Sequence, residues 1–178
     1  MGSLHETVAR GLEFLKTHQT LAGPLLCLLG AFETLPLVGA FAPLTASLIA
    51  VGAAIASRVF DPWLLLWIMA GCAIGNGASY EAGVFARRRG WATGWIPGKA
   101  RIAAERLFDR FGAAAIILSR FLGVTASVAP FLAGWSNLGR RKFWAANVAV
   151  CAVWPPAMAA IGYSGLKAAG GWISHLLP

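Results

Sequence analysis

The chain has 178 residues, of which 58% are hydrophobic and 12% charged. Soluble domains carry about 25% charged residues, so this composition excludes an ordinary soluble domain and indicates one compact integral membrane domain over residues 1–178. The formal net charge of +8 does not call for a nucleic-acid partner, because the basic residues cluster beside apolar runs, as positive-inside topology and anionic headgroups require.

Leu4, Val8, Leu12 and Leu15 recur at three- and four-residue steps, with Glu6, Arg10, Glu13 and Lys16 on other faces. Residues 1–19 are therefore expected to form an amphipathic helix on the membrane surface. The charges spread through Met1–Gln19 argue against a cleavable signal peptide. From Leu21 to Ser57 runs a long apolar tract containing one charge, Glu33. As a single helix this tract would reach about 55 Å, against a hydrocarbon core of about 30 Å. It must fold back. Pro36, Gly39 and Pro43 supply the breaks, which puts Glu33 near the tip of a re-entrant hairpin.

Arg58 to Pro62 reads as a polar turn, and Trp63 to about Ala86 as a spanning helix. Its second half, GNGASYEAG, offers small residues for close helix packing. Gly75 and Gly77 do not make a phosphate loop there, since no strand precedes them. Arg87, Arg88 and Arg89 close that helix, and Trp91 and Trp95 suit an interface. Ala100 to Phe111 forms a second amphipathic helix, with Ile102, Leu107 and Phe108 opposed to Arg101, Glu105, Arg106, Asp109 and Arg110. Phe143 to Ile161 is the last expected span, kinked at Pro155 and Pro156, and a glycine-rich tail covers 167–178.

Between these elements lies SRFLGVTASVAP, Ser119 to Pro130, which places Arg120 inside an apolar run. A charge at bilayer depth costs about 2.5–3.5 kcal/mol on insertion scales, so Arg120 should face a partner, a cavity or a ligand. Gly123 and Pro130 interrupt the helix, and the hydroxyls of Ser119, Thr125 and Ser127 offer polar groups beside the charge. Arg120, Ser119, Thr125 and Ser127 are the candidate substrate-binding set, able to meet a phosphate headgroup. The plainer alternative is an interfacial arginine that snorkels to the headgroups.

Cys27, Cys72 and Cys151 lie in apolar runs and form no CxxC, so they read as small buried hydrophobes. His5, His18 and His175 sit near the two ends. Neither a metal site nor a cofactor is expected.

The two charged hairpins match without gaps at an offset of 87 residues: Glu33 aligns with Arg120, Pro43 with Pro130 and Trp67 with Trp154. Ten of the 43 aligned positions from Glu33 to Gly75 are identical. Residues 20–90 and 98–166 thus form two repeats, each a broken hairpin followed by a span. With one crossing per half, the second is inverted, a transporter signature that brings Glu33 and Arg120 together at mid-depth. Lys and Arg crowd between Arg87 and Lys142, so that segment is placed in the cytoplasm and both termini outside.

FETLPLVGAFAP, GNGASYEAG, SRFLGVTASVAPFLAG and the closing W…GYSG resemble the DedA family, also called the SNARE-associated or VTT-domain family. The resemblance covers about residues 20–166. It implies a bacterial inner-membrane protein that moves lipids such as undecaprenyl phosphate or phospholipids, in dependence on the proton-motive force. By position, Glu33 matches the family's essential embedded acid and Arg120 its first essential arginine. The chain departs from the family pattern at Thr45, where a second acid stands, at Ala126, where a second arginine stands, and at Asn76, often aspartate.

The leading expectation is therefore an all-α lipid transporter or flippase, with Glu33 as proton carrier and a lipid of anionic headgroup as partner. A membrane-organising structural protein is the alternative, in which the buried charges only hold the hairpins together. A lipid-phosphate hydrolase is a weaker one, because no Ser/His/Asp set, HExxH or core histidine provides the chemistry. The chain is not expected to be an enzyme.

Overall fold

The computed structural model describes residues 19–35, 44–91, 98–121 and 125–176. Seven helices appear among them: α1 Gln19–Glu33, α2 Leu44–Ala56, α3 Leu64–Arg88, α4 Gly98–Phe111, α5 Ala114–Ser119, α6 Thr125–Trp135 and α7 Arg140–Leu176. The expected surface helix over 1–19 lies almost wholly outside the described residues, as do Pro36, Gly39, Pro43 and Gly123.

The apolar tract after residue 20 is broken, as its length demands. Helix α1 stops at Glu33 after 15 residues, and α2 has 13. At 1.5 Å per residue the described part of each reaches about 20 Å. Helix α3, with 25 residues, is long enough, but its inward-turned Asn76, Ser79 and Tyr80 lower its hydropathy. Helix α7 alone among the described residues is both long and apolar enough to cross by composition, over Arg140–Ala168.

One expectation is corrected here. Pro130 does not break the hairpin: it lies buried inside α6, which runs on to Trp135. A proline there removes only the amide that would serve the Ala126 carbonyl, one turn from the helix start, where such a loss is local. The tail beyond 166 is helical to Leu176, so α7 has 37 residues and passes through Pro155 and Pro156. Glycine weakens a helix by about 1 kcal/mol per residue but does not end one, and no residue before Leu176 supplies a stop. The Lys167 ammonium also sits 4.9 Å from the Tyr163 ring centroid, one turn back.

Glycine sets the packing around α3. A Cβ on Gly71 would overlap the Cys27 carbonyl, and one on Gly75 would overlap Thr34 and Ala31, so α1 lies backbone-to-backbone along α3. On another face, Gly83 meets the Phe131 carbonyl while Gly134 of α6 meets the Tyr80 carbonyl. Helices α2 and α7 cross in the same reciprocal way, with Gly52 on the Ala159 carbonyl and Gly162 on that of Ile49. Each crossing joins the second arm of one hairpin to the long helix of the other half. Gly134 lies 82 residues after Gly52, and Gly162 lies 79 after Gly83. These spacings differ from the ungapped 87, because the connections in the second half are shorter.

Helices α3 and α7 run in opposite senses. Leu65 shares a cavity wall with Ala159 and Ala160, whereas Asn76 meets Asn147 and Gly77 meets Trp144. The amphipathic α4 buries Phe108 against the bundle but leaves Ile102 and Phe111 exposed. Its apolar face therefore covers the protein on one edge and looks outward on the other.

Replacing Gly83 by Leu should cost about 1–3 kcal/mol through overpacking, read as a lower unfolding temperature in detergent. Gly165→Ala, where a Cβ meets nothing, should leave it unchanged or slightly raised. Equal stability of both variants would show that the α3–α6 contact is not backbone-limited.

Candidate functional site

Glu33 closes α1 and is 6% exposed. Its Oε1 accepts a 2.7 Å hydrogen bond from Ser47 Oγ of α2, so the acid ties the two arms of the first hairpin together. Its Oε2 is buried without a partner. Thr34 beside it turns inward to its own helix, with Oγ1 donating to the carbonyls of Gly30 and Ala31 at 3.0 and 2.9 Å. Ser79 Oγ of α3 then donates to the Thr34 carbonyl at 3.4 Å, satisfying backbone where α1 ends.

Arg120 stands in the turn after α5, with its Nε buried and unpartnered. Among the described residues Glu33 and Arg120 form no ion pair with each other; the ion pair found there is Arg140–Glu81. Cys72, in the middle of α3, lies within electrostatic reach of both charges. Arg120 is also within reach of Cys151 on α7.

The hydroxyls fare differently. Ser119 is buried and its Oγ donates to the Ile116 carbonyl at 2.8 Å, so its proton is already engaged by its own helix. Ser127 is buried within α6. Thr125 opens that helix, and its side chain lies outside the described residues, as does Gly123.

A polar cluster on the same stretch of α3 escaped the sequence reading. Asn76 Nδ2 donates to Asn147 Oδ1 at 2.8 Å, and Asn147 Nδ2 donates to the Ala73 carbonyl at 3.1 Å. Because Asn147 spends its amide protons on Ala73, it must present its oxygen to Asn76, which fixes the orientation of both amides. Asn76 Oδ1 is left buried with no partner. The signal was present in sequence: Asn147 is a lone amide in the apolar run after Lys142, and polar residues at membrane depth mark pathways by default.

Among the described residues no group of His, Cys, Asp and Glu could hold a metal. One carboxylate oxygen, one amide oxygen and one guanidinium N–H are thus buried and unmatched by protein groups. Leaving such groups unsatisfied costs about 1–3 kcal/mol each, and more where charged.

The chain is similar to the inner membrane protein YghB of Escherichia coli (strain K12), at 31% identity over 133 residues, covering 72% of this chain and 60% of that protein. It is similar at 28% over 150 residues to the inner membrane protein YabI of the same organism, covering 82% of this chain and 59% of YabI. YghB of Salmonella typhimurium matches at 30% over 132 residues. The chain is a bacterial cytoplasmic-membrane protein. It spans about 60% of the length of these relatives. No family model and no solved structure matches it.

Asn147→Leu should destabilise by about 1–3 kcal/mol by stranding Asn76, measured by unfolding in mixed micelles. Adding Asn76→Leu should recover part of that loss, since neither amide is then left unpaired. A double variant as weak as the sum of the singles would mean the two amides act independently.

Proposed function

We propose that the chain is a DedA-type lipid transporter that carries a phosphate-bearing headgroup through the membrane, with Arg120 as the anion-binding group and Glu33 as the proton carrier. One observation carries the reading. Two ionisable side chains inside apolar stretches are, among the described residues, not paired with each other, and keep buried polar atoms unmatched. A structural pair would neutralise itself. Charges held apart at that depth are satisfied by a ligand, and a phosphate matches a guanidinium fork.

The equivalent crossings α2–α7 and α3–α6, together with the opposed α3 and α7, support an inverted repeat with re-entrant hairpins. The similarity to YghB and YabI supports the family, whose resemblance implies undecaprenyl phosphate or a phospholipid as cargo. In this reading Ser47 holds Glu33 by one oxygen and leaves the other free to exchange a proton. Ser119 drops out as a substrate donor, and Asn76 takes a place beside the path. The action is transport and involves no covalent chemistry on the lipid.

The membrane-organising alternative draws on the Glu33–Ser47 bond, which by itself would fasten the hairpin. Headgroup-labelled lipid translocation in liposomes separates the two. Arg120→Ala should abolish translocation with insertion intact, and Arg120→Lys should rescue only partly, since an ammonium cannot present a bidentate fork. Full activity of Arg120→Ala would end the transport assignment. Glu33→Gln keeps shape and the Ser47 contact but cannot carry a proton, so lipid binding should survive while dependence on a pH gradient is lost. An unchanged gradient dependence would make Glu33 structural.

A further inference from the structure

A second, separate feature lies where α7 begins. A cavity of about 530 Å³ opens between α4 and the turn that joins α6 to α7, floored by Phe108 and bordered by Asp109, Asn137, Arg140, Arg141 and Lys142. Its shape is held by contacts unrelated to Arg120. Tyr80 stacks on Phe143 at 4.1 Å between ring centroids and donates its hydroxyl to the Leu138 carbonyl. Arg140 is held by Glu81 at 2.7 Å. The turn itself passes through Asn137 in the left-handed region, at φ 66°.

That lock divides the three consecutive cations by role. Arg140 is committed to Glu81. Arg141 and Lys142 are exposed and, among the described residues, without an ion-pair partner. The cavity therefore has two free cations on one rim and a single carboxylate, Asp109, on the other. Its volume is in the range of small-molecule sites, about 300–1,000 Å³.

Depth selects the occupant. The apolar stretch of α7 starts at Arg140, so the cavity sits at the level where hydrocarbon gives way to headgroups. Trp144, one turn further along, is 41% exposed, as an interfacial indole is. A soluble anion would have to reach this level against lipid, whereas a phospholipid phosphate is already there.

We propose that this cavity is a binding site for the headgroup of an anionic phospholipid, in which Arg141 and Lys142 take the phosphate and Asp109 accepts from a headgroup hydroxyl. Phosphatidylglycerol has both parts, a phosphodiester and a free diol. The site is distinct from the mid-depth region around Arg120 and does not depend on the transport reading.

The test uses the full chain in detergent, titrated with phosphatidylglycerol or phosphatidylcholine and read by native mass spectrometry. Arg141→Gln with Lys142→Gln should weaken phosphatidylglycerol binding about thirtyfold, from the usual effect of two basic residues near an anionic surface, and leave phosphatidylcholine unchanged. Arg88→Gln with Arg106→Gln removes the same charge from exposed positions outside the cavity and should change binding less than about twofold, a small fraction of that effect. Equal weakening by both pairs, or none by either, overturns the site. Displacement of the lipid by millimolar inorganic phosphate would overturn the lipid source and leave a free-phosphate site. Should the double variant fail to fold, Lys142→Gln alone repeats the test, with no weakening as the overturning result.

Discussion

The position of every polar group in this bundle depends on how closely other helices can approach α3. Gly71 and Gly75 admit α1, Gly83 admits α6, and Gly77 admits the Trp144 ring of α7. In lipid there is little hydrophobic gain in pressing helices together, so backbone contact at small residues supplies much of the attraction. The consequence is positional. Glu33, at the end of α1, is carried to α3 by a helix that lies against it without intervening side chains. Ordinary core residues at those glycines would keep that charge further out.

Close packing leaves little room for water, and that gives the unmatched atoms their meaning. On a soluble surface an unpaired carboxylate oxygen or guanidinium N–H would be hydrated at no cost. Here Glu33 Oε2, Asn76 Oδ1 and Arg120 Nε are buried. Other polar partnerships are complete: Asn147 to Ala73, Ser79 to Thr34, Tyr80 to Leu138. Sites that violate the rule of polar satisfaction in an otherwise satisfied fold are where function is expected.

The sequence made the breaks and the charges legible, because both are length arguments. No helix can run unbroken from Leu21 to Ser57 in a bilayer, and the one acid and one arginine inside apolar runs stand out against them. Pairings were harder to read. The ungapped offset of 87 brought Pro43 onto Pro130, yet Pro130 is an interior residue of α6, and the packing equivalences run through Gly52 with Gly134 and Gly83 with Gly162. Identity counts reward any shared Ala or Leu, whereas the structure aligns the residues whose Cβ would collide. Ser47 and Asn147 were missed for a related reason. A lone small polar residue in an apolar helix looks tolerable on a hydropathy scale, and only its partner across the bundle shows why it is there.

The two halves use the same crossing but differ chemically at the tips. Glu33 has Ser47 to share its charge, while the buried Arg120 Nε has no partner, and Ser119 beside it bonds its own helix. Were the pair merely structural, the shortest route to low energy would be direct contact, since the attraction between opposite charges grows as the dielectric falls. Among the described residues the fold instead leaves the two charges without an ion pair to each other. Under the transport reading this separation has a use. A phosphate bound at Arg120 is not displaced by an internal carboxylate, and a proton on Glu33 changes the charge at the end of α1, where Ser47 holds it. The coupling between proton and lipid would then act without a direct bond between the two charges, which is why the geometry of α1 against α3 matters more to it than any single contact.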